Sequence, residues 1–138
     1  MKKQIPIIKF LIHAAVALIA TAVAPSARAG DAMDFGDFNG DGRIDMAAIT
    51  GPTTITVSLG NLNGTFTVRA LLSAPKNRTL TYVQVGDFNG DGFKDVYAST
   101  SASGGWVYTF RWLGNGDGTF GNMTTDRWSW TKFKHSGF

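Results

Sequence analysis

"GDFNGDGRID" occupies residues 36–45, and "GDFNGDGFKD" occupies residues 86–95. Each copy sets three Asp and one Asn close together, at 37, 39, 41 and 45 and again at 87, 89, 91 and 95. Carboxylates held this close repel one another unless something neutralises them. The oxygen donors recur at every position while their neighbours drift, so the pattern points to binding rather than to a turn alone.

A second pair of segments follows the first: "LGNLNGTF" at 59–66 and "LGNGDGTF" at 113–120. The first signature thus starts at 36 and again at 86, the second at 59 and again at 113, so the second copy is slightly longer between its signatures. The turn-like "SASGG" at 101–105 is the simplest place for the extra length. Recurrence at a nearly fixed interval, with regular turn punctuation, marks a repeat architecture. Between the turns the chain is rich in Thr, Val, Ile and aromatic residues and bounded by Gly, Asn or Pro, as in short strands. The first copy is assigned strands over 44–50, 53–59, 65–72 and 79–85, and the second over 95–100, 106–113, 119–125 and 127–133. "NLNG" (61–64) and "NGDG" (115–118) read as hairpin turns.

The N-terminal stretch 1–29 reads differently. Lys2 and Lys3 precede an apolar run over 10–24, and Ala27-Arg28-Ala29 fits a small-x-small cleavage site. The run is short for a bilayer span, so residues 1–29 are assigned as a signal peptide, and the remainder is expected to be secreted or periplasmic with no membrane attachment. There is no cysteine, which excludes both a lipid-anchored lipoprotein and disulfide staples. Four of the thirteen basic residues lie in this leader. Residues 30–138 keep nine basic against ten acidic side chains, all Asp, one negative charge in excess. That balance gives no basis for nucleic-acid binding. A small single domain over 30–138, without disulfides, has reason to use a metal or a partner as a staple.

The pairs "GDFNGDGRID…LGNLNGTF" and "GDFNGDGFKD…LGNGDGTF" resemble the FG-GAP/VCBS repeats of integrin-type β-propellers and of many secreted bacterial proteins. The resemblance covers about residues 34–138 and divides the chain into a first repeat over 30–84 and a second over 85–138. It implies an all-β fold, one four-stranded antiparallel propeller-type blade per repeat, with a calcium loop between each blade's first two strands. With two blades, the chain would be a partial propeller.

The loops themselves read as oxygen-only sites. Asp37, Asn39, Asp41 and Asp45 supply side-chain oxygens and the carbonyl of Arg43 a fifth ligand. Asp87, Asn89, Asp91, Asp95 and the carbonyl of Phe93 repeat the set. Such a set suits a hard cation, and a flexible multi-carboxylate loop suits calcium better than magnesium. Two structural Ca2+ ions are therefore expected. An EF-hand would need a carboxylate at the twelfth position, where Ala48 and Ala98 stand, and helices on both flanks. A dockerin fails the same tests.

No catalytic constellation is visible. His135 is the sole histidine after the leader, and neither Cys nor Glu occurs, so no enzyme is expected. Asp117 reads as a turn former. The four Trp (106, 112, 128, 130) all lie in the second copy, as blade filler or as a sugar-stacking surface. Ile55, Val57 and Leu59 share one strand face; Trp106, Tyr108, Phe110 and Trp112 share another. Stacking the aliphatic face on the aromatic one leaves polar-leaning outer faces, as terminal repeats need. The expected role is non-enzymatic binding or adhesion toward a protein or carbohydrate ligand. The alternative is a structural fragment or truncated relic of a larger propeller. The strand at 127–133, counted as surplus, would pair with an incomplete first copy, either within the chain or in a homo-oligomer that completes a propeller.

Overall fold

In the computed structural model, which describes residues 32–101 and 104–129, the chain forms eight strands in two antiparallel sheets. Sheet 1 runs in the order β1 (Met33–Gly36), β2 (Asp45–Gly51), β3 (Thr54–Gly60), β4 (Phe66–Ser73). Sheet 2 repeats it with β5 (Leu80–Gly86), β6 (Asp95–Thr100), β7 (Trp106–Trp112), β8 (Thr124–Ser129). Each acidic loop joins the first strand of its sheet to the second. The all-β architecture of two four-stranded blades is the expected one. The leader 1–29, residues 102–103 of the "SASGG" stretch, Trp130 and His135 lie outside the described residues.

Three strand assignments are corrected. The strand read at 79–85 belongs to sheet 2, where Val83 pairs with Ala98 and Val85 with Val96. The first copy is not incomplete, because Met33–Gly36 is its own first strand, with Met33 opposite Ala48 and Gly36 opposite Asp45. This short strand suffices because the Ile49 N–H also donates to the Ala32 carbonyl at 2.7 Å. Each sheet is thus contiguous in sequence, and the described residues hold no surplus strand. The expected strands at 119–125 and 127–133 collapse, within the described residues, into β8. Phe120 makes only an isolated bridge to Gly114, and regular pairing resumes with Thr124 opposite Arg111. Gly121 and Asn122, poor strand formers, occupy the gap.

The sheets stack face to face. Ala47, Ile49, Ile55 and Val57 of sheet 1 and Val83, Val96, Phe110 and Trp112 of sheet 2 bury in one core. This is the aliphatic-on-aromatic interface read from the strand patterns, with Tyr108 at its margin. Trp106 sits outside that cluster, half-buried beneath the Arg127 guanidinium at 4.7 Å. Polar bonds cross the interface as well. Asp34 accepts the Val85 N–H at 2.8 Å, the Pro52 carbonyl accepts the Leu80 N–H at 2.7 Å, and the Phe38 carbonyl accepts the Gly118 N–H at 3.0 Å. The outer face of sheet 1 is less polar than expected: Met46 and Ala48 form a second small cluster with Met33, Phe35 and Phe66.

One buried carboxylate per sheet links loop to strand. Asp45 is fully buried; its Oδ2 accepts the Phe38 N–H at 2.7 Å and its Oδ1 accepts the Gly60 N–H at 2.9 Å. Asp95 does the same with Phe88 at 2.9 Å and Gly114 at 2.9 Å. The partner must be glycine, since a Cβ at Gly60 would lie 2.2 Å from the Ile44 carbonyl oxygen and one at Gly114 2.0 Å from that of Lys94. This bond explains why the two sequence signatures travel together: the last Asp of the first anchors the Gly of the second.

Asp45→Asn and Asp95→Asn each turn an amide NH2 toward a backbone donor that now lacks an acceptor. Each is expected to lower stability by about 1–3 kcal/mol, the cost of one unsatisfied buried group. Phe110→Ala, which empties the centre of the core, is expected to cost about 3–5 kcal/mol. Urea unfolding monitored by tryptophan fluorescence checks both. Neutral Asp→Asn substitutions would contradict the assigned anchoring role.

Candidate metal-binding site

The two acidic loops are folded by their own carboxylates. Asp37 Oδ1 accepts the N–H groups of Gly40 (2.7 Å) and Asp41 (3.2 Å), and its Oδ2 accepts that of Gly42 (2.8 Å). Asp87 receives Gly90 (2.7 Å), Asp91 (3.1 Å) and Gly92 (2.8 Å) in the same way. Three converging donors demand a tightly wound backbone. Gly40 and Gly42 supply it at φ +73° and +79°, and Gly90 and Gly92 at +76° and +87°, values that side-chain-bearing residues rarely adopt.

The next two donors repeat as faithfully. Asn39 Oδ1 accepts the Asp41 N–H while its Nδ2 donates to Asp41 Oδ2 at 2.8 Å. Asn89 and Asp91 match, with the amide donating at 3.0 Å. Asp41 Oδ1 then accepts the Arg43 N–H at 2.9 Å, and Asp91 Oδ1 accepts the Phe93 N–H at 2.9 Å. Eight of the ten residues expected at the two sites lie in these paired turns, and Asp45 and Asp95 open the strands that follow. Within each loop the structure joins the first three side chains to one another or to the turn's backbone, whereas Asp45 and Asp95 face inward to the anchoring bonds described above. Among the described residues, no three Asp, Glu, His or Cys side chains converge into a ready-made metal cluster.

Charge and burial divide the carboxylates. The Arg43 N–H, helped by the Asn39 amide and the Arg43 charge, holds Asp41 below the usual carboxylate range. The Gly92 N–H, with those of Gly90 and Asp91 and the nearby Lys94 charge, does so for Asp87. Burial pushes Asp45 up despite its two backbone donors, and the charges of Asp41 and Asp37 add to that push. Asp117 is a turn former as expected. Its Oδ1 accepts both the hydroxyl and the N–H of Thr119, which lower it.

The donor set fits a hard cation. It is oxygen-only, and a carboxylate or amide oxygen that accepts one N–H keeps further acceptor capacity. The loops differ in how a cation meets them, since Lys94 acts on Asp87 only through its nearby charge. In the first, the Arg43 guanidinium forms an ion pair with Asp41 Oδ2 and donates from Nε to the Gly60 carbonyl at 2.8 Å. In the second, the corresponding residue is Phe93, 47 % exposed and uncharged.

Sequence reasoning overlooks Gly60 and Gly114 as partners of the buried carboxylates, and the Arg43 side chain as an internal counter-ion. A signal for the glycines is present, since each opens an identical "GN" just before "GTF" closes its signature. Nothing in the spacing signals where the arginine points.

Residues 37–98 match the family model of the FG-GAP-like repeat, a stretch that begins in the first loop, crosses sheet 1 and ends in β6 beyond the second loop. The comparisons with curated proteins and with solved structures gave no match. The loop–strand–hairpin unit occurs twice in the structure, and the matched stretch spans both acidic loops; residues 37–98 are thus similar to the FG-GAP-like repeat, and the described residues fold as two four-stranded blades of the β-propeller type.

Proposed function

We propose that this is an exported, calcium-stabilised binding module without catalytic activity of its own, directed at a protein or carbohydrate ligand. The observation that carries the calcium reading is the duplication of the loop hydrogen bonds. Two loops, one in each sheet, fold their Asp, Asn and Asp side chains with the same donors. Asp37, Asn39 and Asp41, and Asp87, Asn89 and Asp91, would hold the ions with the carbonyls of Arg43 and Phe93, while Asp45 and Asp95 would add only the acceptor capacity that their two backbone donors leave. The ion would supply charge neutralisation where folding gathers carboxylates. Repeats of this family are generally non-enzymatic, and the described residues contain no histidine, cysteine or glutamate. Export rests on the leader-like residues 1–29.

A second reading, a structural segment of a larger propeller, draws on the exposed Val68 and Leu71 of the outer face of sheet 1, where a further blade would pack. Glycan-array binding by the purified protein separates the two readings, because a purely structural segment binds nothing there.

Extracellular calcium modules bind at roughly 10⁻⁴–10⁻³ M. Calcium at ~100 times the dissociation constant adds about 2.7 kcal/mol per site. Asp41→Ala and Asp91→Ala are each expected to lower the melting temperature in calcium and to do much less in chelator. Identical melting of the unsubstituted protein in calcium and in chelator would remove the metal from this reading.

The Arg43 guanidinium competes for Asp41, so the second loop is expected to bind calcium more tightly than the first. Arg43→Phe should tighten the first loop only modestly, because an exposed ion pair is weak and screened by salt. Calorimetric titration of Asp91→Ala and Asp41→Ala reads each loop separately, and a tighter first loop would reverse the argument.

A further inference from the structure

Among the described residues, the two halves of the interface between the sheets recur by sequence at the outer faces. Aligning the two copies on their paired signatures places sheet 2's inward residues Val83, Val96, Ala98 and Phe120 on Met33, Met46, Ala48 and Phe66 of sheet 1. Those four residues of sheet 1 belong to its small outer cluster. Sheet 1 therefore carries, outward, the counterpart of the face that sheet 2 presses inward.

The same alignment relates sheet 1's inward face to the outer face of sheet 2. Within the chain, Phe38 is 2 % exposed, held under Phe120 with ring centroids 5.5 Å apart and edge-on geometry. Its counterpart Phe88 is 39 % exposed, and the counterpart of Phe120 is Phe66. Gly118, which closes the internal interface, would place a Cβ 2.9 Å from Arg69 and 3.2 Å from Leu59; at its counterpart Gly64, a Cβ would meet nothing within 4 Å. Asp34 reaches the Val85 N–H across the sheets at 2.8 Å, and its counterpart Gln84 stands exposed. Each end thus presents one half of the contact that the interior completes.

Two further features mark the outer faces as unfinished. Val68 and Leu71 on sheet 1 are 62 % and 66 % exposed, and Trp128 on sheet 2 is 57 % exposed. Arg111 of sheet 2 stands on the outer face opposite Tyr97, and its Nε is buried with no hydrogen-bond partner. The outer face of sheet 1 carries Thr54 and Thr56, the hydroxyl of Thr56 already sharing a hydrogen bond with that of Thr50 at 2.7 Å.

We propose that the outer face of sheet 2 of one chain docks on the outer face of sheet 1 of a second copy, repeating the internal sheet-to-sheet interface between chains. The contact is head-to-tail, so it uses two different patches and leaves each pair with one free patch of each kind. The contact needs no exchange of strands between chains.

The chain expressed in full and recovered after any processing, in calcium, is expected to show at least twice the single-chain mass by light scattering, rising with concentration. Phe88→Asp removes one patch and Leu71→Asp the other, and each alone is expected to give a monomer. Mixing the two variants should restore a one-to-one pair that grows no further, because one good patch remains on each chain. Melting curves show whether each variant is folded; Trp128→Asp and Val68→Asp replace any that is not. A monomeric unsubstituted chain at all concentrations overturns the proposal and leaves these faces to a foreign partner. So does an assembly that survives both substitutions, or a mixture that forms no pair.

Discussion

The buried carboxylates of Asp45 and Asp95 set the geometry on which the rest of each blade hangs. Each accepts two backbone N–H groups from segments far apart in sequence: the entry of the acidic loop and the end of the third strand. A carboxylate with no access to water is unfavourable alone, and burial raises Asp45 accordingly. The cost is offset only if both donors arrive together, so the loop and the end of the third strand close as a unit. Glycine at 60 and 114 is what lets the backbones come close enough.

That anchoring bond also organises the loop that precedes it. With the last carboxylate of the loop tied inward, the side chains at its first, third and fifth positions fold the backbone around themselves and leave oxygen toward solvent. Interior and surface chemistry are thereby separated within one short turn. The scaffold supplies rigidity from below, and the exposed oxygens supply the chemistry above.

Much of this is legible in the sequence, and the reasons for the gaps are physical. The duplicated Asp, Asn and Gly positions stand out because turn and ligand chemistry require those residue types at those places. The opposed faces Ile55/Val57 and Phe110/Trp112 follow from the alternation of side chains along a strand. The first strand escapes such a reading because "MDFG" is too short for periodicity to register, and its pairing with Asp45–Ala48 is a tertiary fact. The boundary near 119–127 is hard to place because Gly121 and Asn122 interrupt pairing without ending the hairpin. The inward turn of Asp45 cannot be read from composition, since a ligand and a buried anchor share the same letter.

The contiguity of each sheet has a kinetic meaning. Strand pairings within a blade join residues close together in sequence, so the loops to be closed are short and closure is fast. The stacking of Ile55 and Val57 on the side of Phe110 and Trp112 spans far more chain. During synthesis the first blade can pair its strands well before Trp112 emerges, and until then its aliphatic face has no cover. The order of the repeats thus creates an interval in which a half-made protein shows its stickiest surface, and the aromatic second blade acts as the lid that ends it.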